Sequence, residues 1–148
     1  MKNKIRVGVI YGLSAIVFSL IMDQVINFLV MLNLLSEPSE IKLDGLGLVN
    51  MFILIVIIAP TIEELFYRWL PIKAISLITK NKSALWIVII ISSAGFGISH
   101  GSWHHLFLQG MVGIIFSIAF LKGGYPSSVV AHSTHNFMLF ILIYLKQI

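Results

Sequence analysis

Cysteine is absent from the 148 residues, and charge is scarce: ten Lys or Arg and six Asp or Glu make up 11% of the chain. The first absence excludes disulfides, thiolate metal sites and a cysteine nucleophile. The second excludes an ordinary soluble domain, in which about a quarter of the residues are charged. Four prolines and one clearly hydrophilic loop, 36–45 (SEPSEIKLDG), are the main interruptions. The chain has no internal repeat, heptad array or low-complexity tail. It also lacks GxSxG and HExxH, so neither a serine nucleophile elbow nor an ordinary zincin site is present.

What remains is apolar. Hydrophobic residues make up 58% of the chain and mean hydropathy is +0.99. A chain this short cannot bury so much apolar surface in a water-soluble core, so lipid is the solvent for much of it. Spans are expected over 7–35, 46–62, 84–99, 106–121 and 127–145, each judged against the roughly 20 residues that cross a bilayer as helix. The second and third are short. The first is too long for a signal-peptide core and lacks a small-residue cleavage site, so it reads as a retained helix. Between 61 and 79 the pattern turns amphipathic, as in a helix leaving the bilayer core along its surface, with Pro60 and Pro71 as kink points. Trp69, Trp86 and Trp103 fall near expected ends, where interfacial aromatics gather. The expected fold is all-α: a polytopic bundle of about five membrane-embedded helices, with an amphipathic helix after the second. Residues 1–148 form one domain, with its motif-bearing core over 48–136.

The net charge of +4 is unevenly placed. With the N-terminus inside, Lys2, Lys4, Arg6, Arg68, Lys73, Lys80, Lys82 and Lys122 fall on the cytoplasmic side. Lys42 and Lys146 fall outside, alongside Glu37, Glu40 and Asp44. That is the positive-inside pattern, and it predicts an integral, multi-pass protein of a bacterial-type cytoplasmic membrane. The basic balance then needs no nucleic-acid partner, and no basic stripe with interleaved aromatics suggests one.

Ionisable groups inside apolar segments are costly and point to function. They concentrate in three places. In 59–68 (APTIEELFYR), Glu64 and Arg68 are four apart and share a helical face, so they can pair as a brace. Glu63 points about 100° away with no local cation, free to act as a general base. Taken alone, the stretch reads equally well as a salt-bridged helix end. In 96–100 (FGISH), His100 can orient a water against Glu63, ligate a metal, or simply cap a helix. His104 and His105 follow as interfacial residues with a metal-binding alternative. In 132–136 (HSTHN), His132 and Asn136 share a face and can aim two donors at an oxyanion, or merely tie helices together. His135 is expected to face elsewhere. Together the three places supply a carboxylate base, a water-orienting imidazole and a two-donor site, which are the parts of an amide hydrolase.

The order EExxxR (Glu63, Glu64, Arg68), FxxxH (Phe96, His100) and HxxxN (His132, Asn136) resembles the CPBP family. These are the CAAX-protease and bacteriocin-processing intramembrane peptidases, also called the type II CAAX prenyl endopeptidase or Abi family. The resemblance runs from about Leu48 to Asn136 and includes Pro60. It implies a helical membrane fold with the site below the cytoplasmic face. Glu63 with His100 would activate water, and His132 with Asn136 would stabilise the oxyanion. Glu64 and Arg68 would be structural or substrate-orienting. Both a zinc enzyme, with Glu63, His100 and His132 as ligands, and a metal-free glutamate mechanism fit those residues. The implied partner is a peptide or lipidated peptide at the bilayer, either a CAAX-type tail or a bacteriocin precursor. A non-catalytic self-immunity or scaffold protein of the same fold is the alternative, and an ion carrier is a third class. The chain is shorter than many relatives, and Trp69 stands where they usually carry a small residue. The five simple spans also conflict with this reading. They set His100 near the far face, while Glu63 and His132 lie toward the cytoplasm.

Overall fold

A computed structural model describes residues 2–36, 47–101 and 103–145. The acids and Lys42 of the 36–45 loop, and Lys146, lie outside the described residues, as does the side chain of Trp103. The described residues form five helices and no strand: α1 (Lys2–Met31), α2 (Leu48–Ile78), α3 (Lys82–Ile98), α4 (Trp103–Gly123) and α5 (Tyr125–Leu145). Four of them are long and apolar enough to cross a membrane. The exception is α3, at 17 residues.

The bundle is apolar outside and partly polar inside. Ile5, Val9, Leu13, Val17 and Leu20 line an exposed stripe of α1, while Ser19, Ser93, Ser117, Ser127 and Ser128 are buried. That is the distribution expected when lipid surrounds the protein, because apolar surface gains little by hiding from hydrocarbon. Small residues let helices approach. A Cβ on Gly12 would lie 2.6 Å from the Ala131 carbonyl oxygen, so α1 meets α5 almost backbone to backbone. Two apolar clusters hold the helices together. Ala15, Val112, Phe116, Ala119 and Ala131 join α1, α4 and α5. Ile72, Ile89 and Phe120 join α2, α3 and α4. The turn between α4 and α5 is a single residue, Gly124, at φ +76°, a conformation that suits a residue without Cβ.

The prolines do not break α2. The amphipathic stretch expected to follow the second span is the second half of one 31-residue helix. Wide π turns at Ile53–Ile58 and Leu65–Trp69 precede Pro60 and Pro71. Each proline leaves a carbonyl one turn earlier without its N–H partner, and another helix supplies the donor. Five residues before Pro60, the Ile55 carbonyl accepts from Asn136 Nδ2 at 2.9 Å. Four residues before Pro71, the Tyr67 carbonyl accepts from the Ser92 hydroxyl.

This continuity settles the depth of α3. It runs back along the second half of α2, with Ile89 against Ile72 and the Phe96 ring 5.4 Å from that of Tyr67. From Glu64 to the end of α2 at Ile78 is fourteen residues, and from the start of α3 at Lys82 to Phe96 is again fourteen. At 1.5 Å per residue both legs are about 21 Å. Phe96 therefore returns to the level of Glu64, and His100 is not stranded at the far face as five simple crossings required.

Candidate active site

The polar centre lies among α2, α3, α4 and α5. Glu64 and Arg68 are both fully buried, with Arg68 Nη1 3.3 Å from Glu64 Oε1. The same Glu64 oxygen receives a hydrogen bond from His132 Nδ1 at 2.9 Å. A carboxylate facing Nδ1 fixes that nitrogen as the donor, so Nε2 is the atom left for chemistry. It points to Glu63, with Nε2 3.6 Å from Oε2. That separation is beyond a hydrogen bond. The Glu63 side chain is 29% exposed, so it retains oxygens for water or substrate.

Aromatic rings enclose this arrangement. Phe116 stacks on His132 at 4.5 Å and 23°, and Phe96 meets the same imidazole edge-on at 5.5 Å. The Arg68 guanidinium lies 4.4 Å from the Phe96 centroid and 5.7 Å from that of Phe116. Its nitrogens make no hydrogen bond among the described residues. The ion pair with Glu64 and the ring faces do the holding, since the face of an aromatic ring attracts a desolvated cation. Gly113 makes room for it: a Cβ there would sit 2.6 Å from Arg68 Nη2.

His100 joins through Phe96. Its Nδ1 donates to the Phe96 carbonyl at 2.8 Å, which leaves Nε2 as an acceptor. The two rings are 4.8 Å apart. Phe96 thus touches both His100 and His132. Asn136 lies one turn beyond His132. It donates one amide hydrogen to Ile55 and accepts from His135 Nδ1 at 3.1 Å. His135, facing away from the centre, accepts from the Ser19 hydroxyl on α1 at 2.9 Å. His104, expected at the interface, is buried at 5% exposure and bonds the Ser36 carbonyl at 2.8 Å. His105 lies 5.9 Å from His100, ring to ring.

Glu63, His100 and His132 are not assembled as a metal cage. Among the described residues no three His, Asp or Glu side chains are placed to share an ion.

Phe116 and Gly113 carry no motif, and only the folded chain reveals their part. The four-residue spacing of Glu64 and Arg68 announces their pairing. Nothing local announces that Glu64 also holds His132, sixty-eight positions away.

Residues 45–138, well over half of the chain, match the model of the type II CAAX prenyl endopeptidase Rce1-like family. The chain belongs to that family, and so to a class of proteases. It is an integral membrane protein. It matches no curated protein and no solved structure.

Proposed function

We propose that the chain is an intramembrane endopeptidase that hydrolyses a peptide bond of a membrane-associated peptide, either a CAAX-type tail or a bacteriocin precursor. The observation that carries this reading is His132 between two carboxylates: Nδ1 on the braced, buried Glu64 and Nε2 toward the accessible Glu63. A structural salt bridge needs Glu64 and Arg68. It has no use for a second, open glutamate on the other side of the imidazole.

In the proposed reaction Glu63 takes a proton from water as the water oxygen adds to the scissile carbonyl carbon. His100 Nε2, left as an acceptor, holds the water's other hydrogen. Negative charge develops on the carbonyl oxygen and is met by the second amide hydrogen of Asn136 and, with a proton on Nε2 as well as on Nδ1, by His132. Glu63 then returns its proton to the leaving amine as the C–N bond breaks. Glu64 and Arg68 hold the imidazole in orientation and do not touch substrate. The bias of Lys and Arg along the chain supports an N-terminus on the cytoplasmic side.

The test is Glu63→Gln in a host that depends on the protein for precursor maturation or bacteriocin resistance, with membrane levels matched. Loss of the phenotype, with loss of peptide cleavage by the purified protein, is expected. Full retention would pass the role to a binding protein of the same fold, the immunity or scaffold alternative.

A further inference from the structure

Three of the four apolar spans end at one place: Asn3–Met31 and Tyr125–Leu145 begin there and His104–Gly123 finishes there. Between these ends and the second half of α2 lies an open cavity of about 470 Å³, whose lining includes Lys4, Lys73, Trp69, Ile72, Phe120 and Tyr125. A second hollow of about 430 Å³ shares Lys4 and Gly124 with the first and adds Lys122. Neither has an Asp or Glu in its wall, and none of Glu63, Glu64, Arg68 and His132 lines them.

Charge and polarity in this place are ordered. The three lysines come from three helices and gather only where the spans stop. The Lys122 ammonium is held 5.2 Å from the Tyr11 centroid. The first turn of α1 is tied to α5 by the Ser127 hydroxyl, which donates to the Lys4 carbonyl at 2.8 Å. Below the lysines the wall is apolar, with Ile72 and Phe120 buried. Trp69 is 39% exposed beside them, as amphipathic rings are at headgroup depth. Cations above, interfacial aromatics beside them and aliphatic wall beneath repeat the polarity profile of one lipid, from phosphate through glycerol to acyl chain.

We propose that the first hollow seats the headgroup of an anionic phospholipid, with Lys4 and Lys73 at its phosphate and Lys122 in the adjoining hollow beside Lys4. Basic pockets between membrane helices recognise such headgroups by this chemistry. The site is separate from the peptidase reading and stands whether or not Glu63 is catalytic. A bound lipid would bridge α1, α2 and the α4–α5 turn, joining the two apolar clusters at one rim of the bundle.

The experiment compares retention of phosphatidylglycerol and phosphatidylcholine by the purified full chain in neutral detergent, read by native mass spectrometry. Lys4→Gln/Lys73→Gln is set against Lys80→Gln/Lys82→Gln, which changes two lysines outside the cavity. Each surface lysine contributes roughly fivefold to binding of an anionic lipid. Wild type and the control should prefer phosphatidylglycerol, and the cavity variant should lose roughly 25-fold of that preference. The lysines are solvent-exposed, so yield and monodispersity should hold. If the double variant is poorly folded, Lys73→Gln alone should still lose roughly fivefold. Equal retention of the two lipids by wild type, or equal loss in control and cavity variants, overturns the proposal. So does inorganic phosphate binding with the same lysine dependence while the lipid shows none. A raised KM for peptide cleavage in the cavity variant, with lipid retention unchanged, would give the lysines to a substrate carboxylate instead.

Discussion

Replacing Arg68 by Met tests whether the buried ion pair is as desolvated as its position implies. Both partners are fully buried, and Glu64 Oε2 has no hydrogen-bond partner among the described residues. Removing the guanidinium leaves the carboxylate with His132 Nδ1 as its one polar contact. Breaking a buried pair on one side costs about 3–5 kcal/mol, because an uncompensated charge stays behind. Met fills much of the space between Phe96 and Phe116, so the packing loss is small and the lower figure, about 3 kcal/mol, applies. Removing both charges at once is a different matter. Glu64→Gln/Arg68→Met leaves no buried charge in the pair, and such replacements are often neutral or stabilising. The double variant should therefore be more stable than Arg68→Met alone by about 3 kcal/mol, so that the two substitutions do not add in a double-mutant cycle. Activity should not recover with stability, because a neutral amide holds the imidazole less firmly than a carboxylate does. Denaturant unfolding in detergent gives the first quantity and peptide cleavage gives the second. If Arg68→Met changes stability by less than about 1 kcal/mol, or if the two substitutions simply add, the pair is solvated and the reasoning fails.

Other outcomes follow from single contacts. Gly113→Ala places a methyl 2.6 Å from Arg68 Nη2, with Ser93 and Phe96 close behind. It should cost about 1–3 kcal/mol by overpacking and lower cleavage by displacing the guanidinium, both measurable on the purified protein. Asn136→Leu removes the donor that satisfies Ile55 ahead of Pro60 and should destabilise by about 1–3 kcal/mol in the same unfolding assay. Ser19→Ala breaks the contact to His135 and should cost only about 0.6 kcal/mol, typical of interhelical bonds in lipid, with cleavage unchanged.

Composition and periodicity made the all-helical membrane class legible, because they report how much surface must face lipid and on which side of a helix. Spacing made the Glu64–Arg68 pair legible for the same local reason. Depth was not legible. Hydropathy measures the length of an apolar run, and a run interrupted at Pro60 looks like a helix end. Whether proline ends a helix depends on whether some other group satisfies the carbonyl it orphans. In this chain those groups are Asn136 and Ser92, which lie 81 and 25 residues away from the carbonyls they bond. No window along the chain contains that information.

The same two donors explain why the site can exist at this depth. An α2 broken at Pro60 would carry Glu64 and Arg68 to the surface, where an exposed pair contributes little and Glu63 is one more solvated acid. An unbroken α2 keeps them level with Phe96 on α3 and His132 on α5. Asn136 therefore has a structural task one turn from His132, alongside any contact with substrate. Its loss would act on the position of Glu63 through the helix as well as on the proposed oxyanion contact. The two effects separate in kinetics at a temperature where the variant is fully folded. A defect confined to the transition state lowers kcat with KM unchanged, whereas a shifted α2 alters both.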